Sequence, residues 1–261
     1  MALPKMTFPT WRDARFLQVA VLAGYAVTAR TFFHFERSLQ TALLCCLGAI
    51  LLDLAYGYFK FKKFVFPLSA VIIGLASSLL IYSRSPYPYL GAVTLAISSK
   101  ALLTYRGKHL FNPANFGVVL LLLLAPRWVT GMPALFSGYL LPSVVFAVLG
   151  TITVVYAKQM EVSFSWLFGF LVLAFIRARI AGNNPLLVML PALGPSFLLF
   201  TFHMISDPAT TPRTRKYRLS FGFFVAFVDA ALRYYQIPYG IFYALFFASC
   251  FMPWIREHET T

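Results

Sequence analysis

The chain has 261 residues, 60% of them hydrophobic and only 11% charged, with a net charge of +14 and a mean hydropathy of +0.75. A soluble domain carries about 25% charged residues, so the composition excludes a soluble globular protein and predicts an integral membrane protein without a separate soluble domain. The positive balance fits cytoplasmic loops beside anionic headgroups; it is not a nucleic-acid footprint, because no basic domain stands clear of the apolar runs.

Division at Pro, Gly and charge clusters predicts an all-α polytopic protein with about ten transmembrane helices. They fall near 16–33, 39–58, 64–82, 88–103, 115–126, 139–157, 164–181, 186–205, 219–235 and 237–255. The fifth is short for a crossing of roughly 30 Å, so it is expected to be longer, tilted or re-entrant. Lys5, Arg12 and Arg15 precede the run from Phe16 as in a signal peptide, but the first segment is read as an uncleaved anchor. With the N-terminus inside, 15 of the 22 Lys and Arg residues, including every Lys, fall at inner ends. That asymmetry predicts both termini on the cytoplasmic side of a bacterial cytoplasmic membrane. Cys45, Cys46 and Cys250 lie inside predicted spans, match no zinc spacing, and are too few for an iron–sulfur cluster of about four ligands.

The halves rhyme. "LGAILLDLAYGYFKF" from Leu47 resembles "LGTITVVYAKQMEVS" from Leu149, and "FNPANFG" at Phe111 resembles "SDPATTP" at Ser206. Five spans per half predict a 5+5 inverted repeat. One conflict accompanies it: corresponding loops of an inverted repeat face opposite sides, whereas the charge count puts the Asn112 and Asp207 loops on the same side.

Those two loops concentrate the polar chemistry. Asn and Asp accept hydrogen bonds from the open amides of a first helical turn, and Pro is favoured just inside it. Asn112-Pro113 and Asp207-Pro208 are therefore both expected to start helices, whose positive ends can hold anions or carbonyl oxygens. A cap accounts for two residues but leaves Gly107, Lys108, His109, Asn115 and Gly117 to be explained. Within the spans, Asp53 and Asp229 are the acids best placed for a cation or proton path. Asp229 and Arg233 stand four apart and can pair on one helix face, whereas Asp53 has no local partner. His109 and His203 sit at helix ends, where they can anchor loops or relay protons. Phe, Tyr and Trp number 28, 14 and 4, enough for stacking faces as well as packing.

At "KHLFNPANFGVVLLLL" from Lys108 and "HMISDPATTPRTRKYRLSFGFFVAFVDAALR" from His203, the chain resembles the integral membrane subunits of the Rnf and sodium-pumping NADH:quinone oxidoreductase complexes, RnfD and NqrB. It is also similar to the short RnfD-like proteins found around enediyne biosynthesis. The resemblance implies one transmembrane domain with approximate halves 1–130 and 131–261, a flavin cofactor, other membrane subunits as partners, and electron transfer coupled to ion movement. It implies cofactor-binding roles for Lys108, His109, Asn112, Asn115, His203, Asp207 and Thr210. Family members attach FMN to a Thr in an "SGAT"-like segment after the fifth helix. Here that region reads "PRWVTGMPALFSGYLLP", Pro126 to Pro142, with Ser137-Gly138 followed by Tyr139 and with Thr130 in a different context. The expectation is thus FMN or riboflavin held noncovalently, or a quinone, in a subunit that is at most non-catalytic. A small-solute or ion channel of the same fold, and an accessory subunit of a larger redox or pigment complex, are the alternatives.

Overall fold

The computed structural model describes residues 6–10, 12–31, 38–131 and 140–259. The first half comprises α1 (Ala14–Thr31), α2 (Ser38–Phe61), α3 (Leu68–Leu80), α4 (Tyr87–Leu102) and α5 (Pro113–Leu124). The second half holds α6 (Leu140–Tyr156), α7 (Met160–Ile180), α8 (Pro185–Met189), α9 (Pro195–Leu199), α10 (Arg215–Tyr234), α11 (Gly240–Cys250) and α12 (Met252–His258). A 3₁₀ turn, Leu190–Leu193, joins α8 to α9, and a π-helical turn, Phe200–Met204, follows α9. Two-residue strands pair at the helix ends: β1 (Met6–Thr7) with β2 (Phe64–Val65), β3 (Ile81–Tyr82) with β6 (Thr130–Gly131), and β4 (Thr104–Tyr105) with β5 (Lys108–His109).

Helix occupies each of the ten predicted segments, and the protein is a helical membrane protein. By length and apolarity, however, two of the described helices can cross a bilayer, Leu39–Lys60 and Met160–Ile180. A third is possible if Pro185–Leu193 and Pro195–Met204, bent by 63°, form one broken span. The predicted eighth segment is therefore interrupted at Gly194, and the tenth at Phe251 between α11 and α12. The shorter apolar helices are Leu68–Leu80, Pro113–Leu124, Leu141–Tyr156 and Gly240–Cys250. At 1.5 Å per residue, the 12 residues of α5 reach about 18 Å, so its backbone has to lie among other helices rather than span alone.

Side-chain periodicity shows how the bundle divides protein from lipid. In α7, Val162, Trp166, Phe170, Ala174 and Ala178 are buried, each four residues from the next. Phe164, Phe168, Val172, Ile176 and Ile180 form an exposed stripe two positions out of phase. Two residues turn a helix by about 200°, so the stripes lie on opposite sides. The aromatic members of the buried stripe pack on α9 and the π-helical turn, where Trp166 Nε1 donates to Thr201 Oγ1 at 2.9 Å and the Phe170 ring lies 4.6 Å from that of Phe197, while the backbone of α7 comes close to α10, its most extensive neighbour. That approach requires Gly222, where a Cβ would stand 2.5 Å from Val162 O and 3.0 Å from Trp166 N. On α2, Leu43, Leu47 and Leu51 form a similar exposed row, against which no described helix packs.

Candidate functional site

The first loop is built by a tight hairpin. β4 and β5 are joined by Arg106 and Gly107, both with positive φ (49° and 75°), the geometry of a two-residue turn that matches strand twist. Gly107 adopts it without steric cost. Beyond the hairpin, Asn112 caps α5 as expected: its Oδ1 accepts from the Asn115 amide at 3.0 Å, with Pro113 in the first turn.

Asp207 differs from the expectation. α10 begins only at Arg215, so Asp207-Pro208 starts no helix. Its Oδ1 accepts from the Ala209 amide at 2.9 Å, and its carbonyl accepts from the amides of Thr210 and Thr211 at 3.0 Å each. The hydroxyls of Thr210 and Thr211 donate to the same carbonyl at 3.3 and 3.0 Å. Asp207 thus closes an isolated turn, as Asp and Asn side chains do where the chain then leaves helical conformation.

The two loops meet. Asn112 Nδ2 donates to Asp207 Oδ2 and to Met204 O, both at 3.3 Å. Lys108 Nζ reaches Pro208 O at 3.5 Å. A residue that the motifs did not reveal completes the junction: the terminal nitrogens of Arg256, on α12, donate to Tyr105 O (3.1 Å), Lys108 O (3.3 Å), His109 O (2.7 Å) and Ala209 O (3.2 Å). One guanidinium thereby ties the hairpin to the Asp207 turn; its sole signal in the sequence is a basic residue in the last turn of a terminal helix. Because the loops touch at one end of the bundle, their rhyme is not the correspondence between opposite faces that an inverted repeat requires.

Burial sets the charge states here. It pushes the Asp207 carboxyl up, against the opposing pull of the Ala209 amide, His109, Thr210 and Asn112. It pushes His109 down; Asp207 and a hydrogen bond to the Lys100 backbone oppose the shift, while the charges of Lys100 and Arg256 add to it. Lys108 is lowered by burial and by the neighbouring charges of Arg213 and Arg256. His109 Nδ1 has no hydrogen-bond partner.

The remaining expected residues divide. Lys108, His109, Asn112, Asp207 and Thr210 form the junction, whereas Asn115 and His203 reach elsewhere. Asn115 Nδ2 donates to Phe242 O at 3.1 Å, linking α5 to α11, and its Oδ1 is buried without a partner. His203 lies in the π-helical turn, a distortion frequent at functional sites, with Nε2 3.4 Å from the Tyr25 hydroxyl and Nδ1 unpartnered. The Tyr25 hydroxyl donates to Phe146 O at 2.8 Å, while its ring stacks on that of Phe146.

Both intramembrane acids are paired. Asp53, without a partner near it in sequence, receives Lys100 Nζ at 2.6 Å, and the same ammonium contacts Ser69 Oγ at 2.6 Å. Asp229 takes Arg233 Nε at 2.7 Å, four residues on, and its second oxygen lies buried against Gly240, where a Cβ would come within 3.0 Å. Thr130 is exposed on β6, at the far end of α5 from Asn112. Ser137 and Gly138 lie outside the described residues, as does the rest of 132–139. Among the described residues no group of three or more His, Cys, Asp or Glu side chains could hold a metal ion.

A search of the curated proteins finds no match to the chain. Residues 136–260, which supply the Asp207 turn, Asp229 and Arg256, match the model of the NQR2, RnfD, RnfE family.

Proposed function

We propose that the protein is a membrane-embedded subunit of an electron-transport complex that works with other membrane subunits and holds FMN, riboflavin or a quinone noncovalently. The family match over residues 136–260 carries this reading. The side chains add support. A buried polar atom without a partner costs on the order of 1–3 kcal/mol, and Asn115 Oδ1 and His203 Nδ1 are two such atoms. A polar ring offering carbonyl and N–H groups would satisfy them. When bound, such a ring supplies a redox centre that no side chain of this protein provides; Asn115 and His203 would orient it, and the Asn112–Asp207 junction would fix the loops beside it. Cation or proton movement is assigned to Asp53 and Asp229, each of which has to leave Lys100 or Arg233 to take up an ion. We place the basic loop ends and both termini in the cytoplasm of a bacterial cell, on the charge asymmetry.

The test is the visible absorbance of the protein after mild extraction. A flavin or quinone spectrum is expected, with Asn112→Ala and Asp207→Ala losing more chromophore than Thr130→Ala. Absence of any chromophore, or a loss confined to Thr130→Ala, refutes noncovalent binding at this site. The 63° break between Pro185–Leu193 and Pro195–Met204 favours a second reading, a solute or ion path, since broken helices line transporter cavities. Ion flux in liposomes containing this subunit alone would support that reading over the first.

A further inference from the structure

Beside the loop junction, the chain leaves a cleft of about 30 Å³ lined by Arg106, Lys108, Arg213, Arg256 and Glu259. Four cations thus face one carboxylate, Glu259, whose single negative charge favours the Lys108 and Arg256 cations but falls short of balancing four. Glu259 Oε1 is spent on backbone and hydroxyl, accepting from the amides of Arg213 (2.6 Å) and Thr214 (2.8 Å) and from Thr214 Oγ1 (3.4 Å). Its Oε2 is buried without a partner.

The cations differ in what they can still offer. Arg256 has committed both terminal nitrogens to carbonyls, so it contributes charge and holds the walls in place. Arg106 reaches back to Arg256 O at 3.4 Å. The Lys108 ammonium has a single long contact, to Pro208 O at 3.5 Å, and the Arg213 guanidinium has no acceptor among the described residues. Burial and the charges of Arg213 and Arg256 work against the Lys108 cation, with Glu259 and Asp207 opposing, and four cations around one carboxylate mark a place short of an anion. Like charges gathered around a void, with the Lys108 and Arg213 donors largely unspent, are stabilised by an anion that bridges them.

We propose that this cleft binds a phosphate ester, its phosphoryl oxygens taken by Lys108, Arg213 and Arg106, and a hydroxyl of the same molecule donating to Glu259 Oε2. Two sources have this chemistry: the headgroup of an anionic phospholipid such as phosphatidylglycerol, and a soluble ester such as glycerol 3-phosphate. The lipid is the better fit to the surroundings. α12, which carries Arg256, also exposes Trp254 (57%), and Leu102 beside the hairpin is 72% exposed. A Trp at this position suits the interfacial belt where headgroups lie, and basic pockets at helix ends are known to take such headgroups.

The experiment compares the wild-type protein with the Arg106→Gln/Arg213→Gln variant, leaving the structural Arg256 intact. Bound lipid is counted by native mass spectrometry after titration with phosphatidylglycerol or phosphatidylcholine, and thermal unfolding is followed with each lipid and with glycerol 3-phosphate in neutral detergent. Wild type is expected to retain phosphatidylglycerol over phosphatidylcholine and to unfold at higher temperature with it. Each cation removed should weaken binding roughly fivefold, hence about thirtyfold for the pair. A response to glycerol 3-phosphate equal to that with phosphatidylglycerol assigns the site to soluble esters; a response to phosphatidylglycerol alone assigns it to the lipid. Equal retention of the two lipids by wild type together with no effect of glycerol 3-phosphate overturns the proposal, and so does undiminished binding in the variant. Because the wild-type comparison stands alone, a variant that fails to fold leaves the test intact.

Discussion

Replacing Arg256 by Met removes the charge and donors while keeping most of the side-chain volume, and its cost follows from the contacts. The guanidinium holds four carbonyls, at 2.7, 3.1, 3.2 and 3.3 Å, from two separate stretches of chain, the hairpin and the Asp207 turn. A hydrogen bond to a charged group contributes about 1.5–3 kcal/mol. Counting only the two shortest as firm, the loss is roughly 3–6 kcal/mol. For chains of this size each kcal/mol moves the unfolding midpoint by about 2–4 °C, so Arg256→Met should unfold roughly 6–24 °C lower, read by intrinsic tryptophan fluorescence in detergent. Arg256→Lys should recover less than half of the loss, since one ammonium cannot serve both the hairpin and the Ala209 carbonyl. A midpoint within about 2 °C of wild type for Arg256→Met would show that the loops hold together without the clamp, and the account of the junction would fail.

Gly222→Ala should separate α7 from α10, because its Cβ has backbone in front of it rather than a movable side chain; lost expression or a midpoint at least about 5 °C lower is expected, and wild-type behaviour would contradict the packing described. Arg233→Gln strands the Asp229 carboxylate in the bundle and should cost about 3–5 kcal/mol, whereas Asp229→Asn/Arg233→Gln together should recover much of that, as measured by unfolding midpoints; a double variant worse than the single would refute this. Burial lowers His109, so the folded protein keeps the ring neutral at pH values where the unfolded chain, titrating near 6.5, takes a proton. Its contribution is complete above that value and is lost as pH falls from there towards the folded-state value. The unfolding midpoint of wild type should accordingly drop more between about pH 7 and 5 than that of His109→Gln; parallel curves would count against it.

The sequence disclosed elements whose cause is local. The Asn112 cap needed only Asn-Pro and an amide three residues on, and the Asp229–Arg233 pair needed only helical spacing; both are present. The same local logic failed at Asp207, because a cap and an isolated turn satisfy the side chain equally and only the following residues decide between them. What the sequence hid was distance. Lys100 lies 47 positions from Asp53, and Tyr25 lies 178 from His203. Neither partner has a spacing that a helix or strand could signal. The break at Gly194 was also concealed, since hydropathy runs unbroken through "LLVMLPALGPSFLLF" while the two Pro residues interrupt the amide ladder.

The Arg256 tether has a consequence for biogenesis. His109 precedes its tether by 147 positions, and translation at about 5–20 residues per second makes that a wait on the order of 10 s. During that interval the hairpin and the Asp207 turn emerge with their carbonyls unclaimed. Closure of this end of the molecule therefore waits for α12, and an insertion machinery that releases helices in sequence must leave the earlier loops pliant until α12 docks.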